Sequence, residues 1–162
     1  MPDLICDTSV LIVLHQVSQL SILSALGSSV IVSTAVVKEL AAGRLAGSDA
    51  VDVALYPWMM VRAPTACPKL PSQATFGPGE SSVIWLALEL PGSIAILDDG
   101  PARRVASQLG ISYTGTVGLI LDAKQRGLIA AVKPVLDDLA HHEFNLSPRI
   151  RESILKASGE TP

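Results

Sequence analysis

The 162-residue sequence predicts an α/β fold: a parallel sheet covered by helices on both faces. Three observations predict it. Short apolar runs without polar alternation (Leu4-Ile5-Cys6, Val30-Ile31-Val32, Ser93 to Leu97) read as strands buried on both faces. Each is followed by residues that start helices or turns: Asp7-Thr8-Ser9, Ser33-Thr34 and Asp98-Asp99-Gly100. Finally, 49% of residues are apolar and only 17% charged, which supports a sizeable core and excludes a disordered chain.

The elements follow in order. After strand 4–6, an apolar-rich helix is expected to run to near Gly27. Strand 30–32 leads into a helix capped by Ser33-Thr34, passing through Glu39 and Leu40 and ending near Gly43. Residues 44–77 hold Pro57, Pro64, Pro68 and Pro71 and read as an excursion with one possible strand, Trp58 to Val61. Gly77-Pro78-Gly79-Glu80 opens a helix to about Leu90, stopped by Pro91-Gly92. Strand 93–97 follows, then a helix entered through Pro101 and closed by Gly110. A short strand at 111–113 and helices at 116–126, 131–142 and 147–157 complete the chain. No repeat or low-complexity tract interrupts it, and residues 1–162 are expected to form one domain.

The mean hydropathy is +0.44. Unbroken apolar runs such as Val10 to Leu14 nevertheless fall far short of the ~18 residues of a membrane span. A surface this poor in charge suggests coverage by a second subunit or a partner. The net charge of −3 argues against broad electrostatic capture of nucleic acid, leaving room only for a local phosphate site. Aromatic residues make up 4%, too few for a row of base-stacking platforms. Cys6 and Cys67 have no metal or redox spacing, and no export signal follows Met1, so a cytoplasmic location is expected.

In a parallel α/β sheet, ligands sit outside the carboxyl ends of the strands. Asp7 directly follows the first strand, and Asp98 and Asp99 directly follow strand 93–97. Glu39 is about one turn into its helix, and Glu80 stands at the start of another. These acids can converge although they are distant in sequence. Clustered carboxylates repel, and a hard divalent cation relieves the repulsion. Such a cation also activates water and neutralises a phosphate. Each acid has an ordinary role too: Asp7 as a helix cap, Glu80 on a helix dipole, Glu39 on a solvated face, Asp98-Asp99-Gly100 as a turn. The inference rests on their common edge. Arg103 and Arg104, within one turn of the acidic pair, suit a phosphate or a carboxylate. Thr8 and Ser9 suit a bound water or a phosphate, or cap the helix. Asp137-Asp138, His15 and His141-His142 read as surface or structural residues, and no GxSxG, P-loop or GxGxxG is present.

These pieces resemble a PIN domain: the strand ending in Asp7-Thr8-Ser9, then Val36-Val37-Lys38-Glu39-Leu40, Gly79-Glu80 and Leu97-Asp98-Asp99. The block Leu97 to Ala106, with Gly115-Thr116-Val117-Gly118, Ala123-Lys124, Arg126 to Ile129 and Ser158-Gly159-Glu160, is similar to a prokaryotic PIN-like subfamily. The resemblance implies a three-layer, Rossmann-like fold with a central parallel sheet. It also implies Mg²⁺- or Mn²⁺-dependent cleavage of RNA, with many relatives acting as dimeric toxins paired with an antitoxin. By position, Asp7, Glu39, Glu80 and Asp98 match the family's acidic, metal-binding tetrad, with Asp99 as the other candidate for the fourth place. Two other functions are weighed: an inactive PIN fold that binds a protein partner, and a phosphatase with an aspartyl intermediate. The second is disfavoured because Ser9, not an aspartate, stands two residues after Asp7.

Overall fold

The computed structural model describes residues 1–71 and 76–162. Its sheet has five strands: β1 (Leu4–Cys6), β2 (Val30–Ser33), β3 (Met59–Arg62), β4 (Ile94–Ile96) and β5 (Tyr113–Thr114). Their order is β3-β2-β1-β4-β5, and every pairing is parallel. Central β1 is buried throughout, as its unbroken apolar sequence requires. Cys6 stands opposite Val32 on one side and Ile96 on the other. The chain first builds the sheet outward from β1 to β2 and β3, then returns to add β4 and β5 on the other side. The strand order therefore reverses between β1 and β4, where α/β sheets leave a crevice at their carboxyl edge.

The helices are α1 (Thr8–Gln16), α2 (Ile22–Leu26), α3 (Thr34–Leu45), α4 (Pro78–Glu89), α5 (Gly100–Gln108), α6 (Thr116–Gln125), α7 (Lys133–His141) and α8 (Pro148–Ala157). Helix α4 lies over β1, β2 and β4 and touches α3 and α5, while α2 packs on α6. The core between these layers is aliphatic, with Ile5, Leu11, Leu14, Ile84, Ile96 and Ile120 fully enclosed. A methyl or methylene removed from such a core costs on the order of 1 kcal/mol or more.

The structure departs from the sequence reading in local detail. The expected helix up to Gly27 is two helices, because Ser18 takes a left-handed φ of 56° and turns the chain. Helix α3 runs through Gly43 to Leu45. Its stop is Gly47, whose φ of +89° suits a residue without Cβ. The expected strand 111–113 is shifted to Tyr113–Thr114. The excursion contributes a 3₁₀ turn (Val53–Leu55) and the edge strand β3, while its residues 72–75 lie outside the described residues. Among the described residues no helix is long and apolar enough to cross a membrane.

Candidate active site

Asp7 is the residue after β1, and its backbone N–H donates to the Ile96 carbonyl at the end of β4 (3.2 Å). This places it at the point where strand order reverses. It occupies the N-cap position of α1, yet its side chain makes no capping hydrogen bond. The cap function alone therefore does not explain it. Its side chain is 1% exposed, and Oδ1 is buried with no hydrogen-bond partner. The Ser9 hydroxyl donates to Oδ2 at 3.4 Å. Burial above all, then the charge of Glu80 and more weakly that of Glu39, push the Asp7 carboxyl up to about 7. Hydrogen bonds from the Thr8 backbone and Ser9 work in the opposite direction. An orphaned carboxylate oxygen next to two further acids costs stability unless something positive or protic meets it. The same burial, with the Asp7 charge, pushes the adjacent Cys6 thiol upward, which makes it an inert core residue.

Glu39 reaches this edge from α3. Ser33 caps α3 by accepting from the Val36 N–H (3.0 Å), and Ser33 and Ser82 join their hydroxyls at 2.6 Å. Ser82 in turn donates to the Gly79 carbonyl (2.6 Å), so the starts of α3 and α4 are tied together. The Glu39 carboxylate lies in that junction, accepting from Thr8 Oγ1 (2.6 Å) and the Gly79 N–H (2.8 Å). A Cβ on Gly79 would stand 2.5 Å from Glu39 Oε2, so a larger residue there would displace the carboxylate. Glu80 accepts from the Gly77 N–H at 3.1 Å, the carboxylate half of a capping box at the start of α4.

On the other side of the crevice, Asp98 and Asp99 diverge. Asp99 caps α5, accepting from the Ala102 N–H at 2.9 Å. Asp98 turns to the start of α6, where Thr116 donates both its N–H (2.8 Å) and its hydroxyl (2.6 Å). Gly115 leaves the space this needs, because a Cβ there would lie 2.5 Å from Asp98 Oδ1. Arg103 packs its guanidinium over Tyr113, 5.3 Å from the ring centre, and its Nε is buried without a hydrogen-bond partner. Arg104 is exposed.

Asp7, Glu39 and Glu80 thus form one electrostatically coupled group, with Asp98 at the end of the neighbouring strand. The donor set is entirely carboxylate oxygen, which suits a hard divalent cation, and the orphaned Asp7 oxygen is a ready ligand. Among the described residues, however, no three such side chains stand close enough to hold one ion. The reason is visible in the hydrogen bonds: Glu39, Glu80 and Asp98 each face a protein donor. Thr116, Gly79 and Gly115 were not singled out as site residues by sequence. Their signal lay in the blocks Gly79-Glu80 and Gly115-Thr116-Val117-Gly118, which carry part of the family resemblance.

A family model described as a PIN domain matches residues 3–160. The chain belongs to the PIN-domain family. The match spans both halves of the crevice, and the PIN fold is generally that of a nuclease. No curated protein was found to match the chain.

Proposed function

We propose that this PIN domain, acting as a single unit over residues 1–162, is a metal-dependent ribonuclease that hydrolyses RNA phosphodiester bonds. The observation that carries this reading is the buried Asp7 carboxylate, with an unpartnered oxygen and two further acids acting on it, at the strand-order reversal. The chemistry that Mg²⁺ or Mn²⁺ supplies when bound is neutralisation of phosphate charge and easier deprotonation of water. Asp7 would be its first ligand, with Glu39, Glu80 and Asp98 completing the acidic set. Thr8 holds Glu39 in place and Thr116 holds Asp98, so the acids around Asp7 are oriented before substrate arrives. Ser9 lies beside Asp7, within reach of a water or phosphate oxygen. Arg103, which has no ion-pair partner among the described residues, offers its guanidinium to phosphate, and Arg104 adds positive charge on the same helix.

The experiment is cleavage of single-stranded RNA by the purified chain with Mg²⁺, with Mn²⁺ and with chelator. Metal-dependent cleavage lost in Asp7→Asn supports the reading, and metal-independent or Asp7-independent cleavage refutes it. A toxin-like endonuclease with an antitoxin partner and a homodimeric state extends this reading. The exposed Met60 (56%) and Val61 (52%) on edge strand β3 support a covered face. Sedimentation giving only monomer, with no partner recovered, counts against that extension. One observation favours a second reading, a PIN fold serving as a protein-binding module: the absence, among the described residues, of three acids poised on one ion. Calorimetric titration with Mg²⁺ separates the two, since a scaffold gives no carboxylate-dependent heat.

A further inference from the structure

Next to Asp98 the surface opens into a groove of about 520 Å³, within the ~300–1,000 Å³ typical of small-molecule sites. Asp98 and Arg103 are among its lining residues, together with Phe144, Ile150 and Ile154. Gly115 and Gly118 also line it, and a side chain at either would meet its neighbours at once. A Cβ on Gly118 would lie 2.1 Å from Thr114 Oγ1, and one on Gly115 would lie 2.5 Å from Asp98. Ile150 is 52% exposed, a large aliphatic side chain left in water at the groove's rim.

Arg103 decides what fits. Its guanidinium is held over Tyr113, but its buried Nε has no hydrogen-bond partner, and among the described residues it makes no ion pair. Asp98 lines the same groove, yet its oxygens are occupied by Thr116. A fixed arginine with free donors is suited to a phosphate. The apolar part of the lining, Phe144, Ile150 and Ile154, is suited to a flat apolar body. An occupant with an anionic end and a planar body of this size is a mononucleotide unit. A base reaches such a groove only when it is unstacked from its neighbours, as in single-stranded RNA. The small number of aromatic residues excludes a run of stacked bases but not one base in this groove.

We propose that this groove is a nucleotide subsite. It receives the base of one nucleotide of single-stranded RNA against Phe144, Ile150 and Ile154, with that nucleotide's phosphate on Arg103. This rests on the ribonuclease reading and adds to it where the substrate lies: beside Asp98, on the α8 side of the crevice.

The test measures binding without cleavage. The full chain, in chelator, is titrated with uridine and adenosine 5′-monophosphates, with ribose 5-phosphate and with inorganic phosphate, and isoleucine methyl resonances are followed. A mononucleotide is expected to shift Ile150 and Ile154 and to bind at least ~10-fold more tightly than ribose 5-phosphate, the size of one base's stacking contribution. Ile150→Glu, at an exposed position, is expected to remove that advantage, and Arg103→Gln to weaken binding of all the phosphates. Equal affinity for mononucleotide and ribose 5-phosphate overturns the proposal. So does mononucleotide binding that leaves the two isoleucines unmoved. The ligand series is read on the unaltered chain, so the result stands even if a variant fails to fold. A chain that cleaves RNA but shows no base-dependent affinity overturns the subsite alone. One that binds mononucleotide in the groove but never cleaves overturns the ribonuclease reading and supports the subsite.

Discussion

The two sides of the crevice treat an aspartate at a strand end in opposite ways. On the β4 side, Asp98 is met by the N–H and hydroxyl of Thr116 at the first residue of α6. The helix start supplies both donors and a favourable dipole. On the β1 side, Asp7 is more deeply buried, has one oxygen with no partner, and feels Glu80 and Glu39 rather than a compensating cation. One carboxylate is built into the fold, and the other is held at the fold's expense. Residues kept against stability are those whose use lies elsewhere.

The largest expected effect breaks this contrast by removing the unsatisfied charge. Asp7→Asn should abolish metal-dependent cleavage, a loss of at least ~100-fold if the charge anchors the cation. In chelator the same variant should be the more stable protein. The sign follows from the protons. Folding raises the Asp7 carboxyl from 3.8 to about 7, so the folded state binds the extra proton between those values. The contribution of Asp7 to stability is therefore greatest below pH ~4 and is lost as pH rises through ~7. Urea unfolding at pH 8 should show Asp7→Asn gaining, with a ceiling of ~4 kcal/mol, and the gap should close toward pH 4. Saturating Mg²⁺ should reverse the order, raising the parent by ~2.7 kcal/mol at a hundred times its Kd and the variant much less. Equal melting curves for the two proteins under all these conditions would remove Asp7 from any charged site.

The next two substitutions sharpen the comparison from each side. Gly79→Ala forces a methyl against the Glu39 carboxylate, 2.5 Å from Oε2, so Glu39 must give up its bond to the Gly79 N–H or to Thr8. The expected cost is ~1–3 kcal/mol, with cleavage falling because Glu39 is displaced toward or away from Asp7. Thr116→Val keeps the buried shape but removes the hydroxyl that donates to Asp98. Its expected cost is ~1–2 kcal/mol, and Thr116→Ser should recover most of it. Denaturant midpoints together with single-turnover cleavage rates check both. A Gly79→Ala protein with unchanged stability and rate would show that Glu39's position is unimportant.

Much of this architecture was legible in the sequence because its signals are local. An apolar run that ends in Asp-Thr-Ser or Asp-Asp-Gly-Pro announces both a buried parallel strand and the turn after it. That was sufficient to place Asp7 and Asp98 at the same edge. The partners of those acids were not legible, since they depend on tertiary neighbours. Thr116 meets Asp98 across 18 residues, and Gly79 meets Glu39 across 40. The break between α1 and α2 was missed because it turns on Ser18 at positive φ, where glycine or asparagine would have been the readable signal. The tail illustrates the same limit. Glu160 accepts from the Val132 and Lys133 N–H groups at the start of α7 (2.5 and 2.9 Å), a clasp between segments that no local pattern encodes.

The smallest expected effect concerns the acid pair itself. Sequence alone left Asp98 and Asp99 as alternatives for the fourth acid. Their hydrogen bonds differ: Asp99 caps α5 through the Ala102 N–H, while Asp98 lines the groove and accepts from Thr116. Asparagine caps a helix about as well as aspartate. Asp99→Asn should therefore change stability by only a few tenths of a kcal/mol, the residue of the lost charge at the helix start, and leave cleavage within ~2-fold of the parent. Asp98→Asn keeps an acceptor for one Thr116 donor but removes the charge at the crevice, and cleavage should fall by at least ~10-fold with little change in fold. The decisive measurement is the ratio of the two cleavage rates at equal, saturating metal. A larger loss in Asp99→Asn would mean that the α5 cap carries the catalytic charge and that Asp98 serves only to anchor α6, and a ratio near one would mean that the two charges do not differ in their contribution.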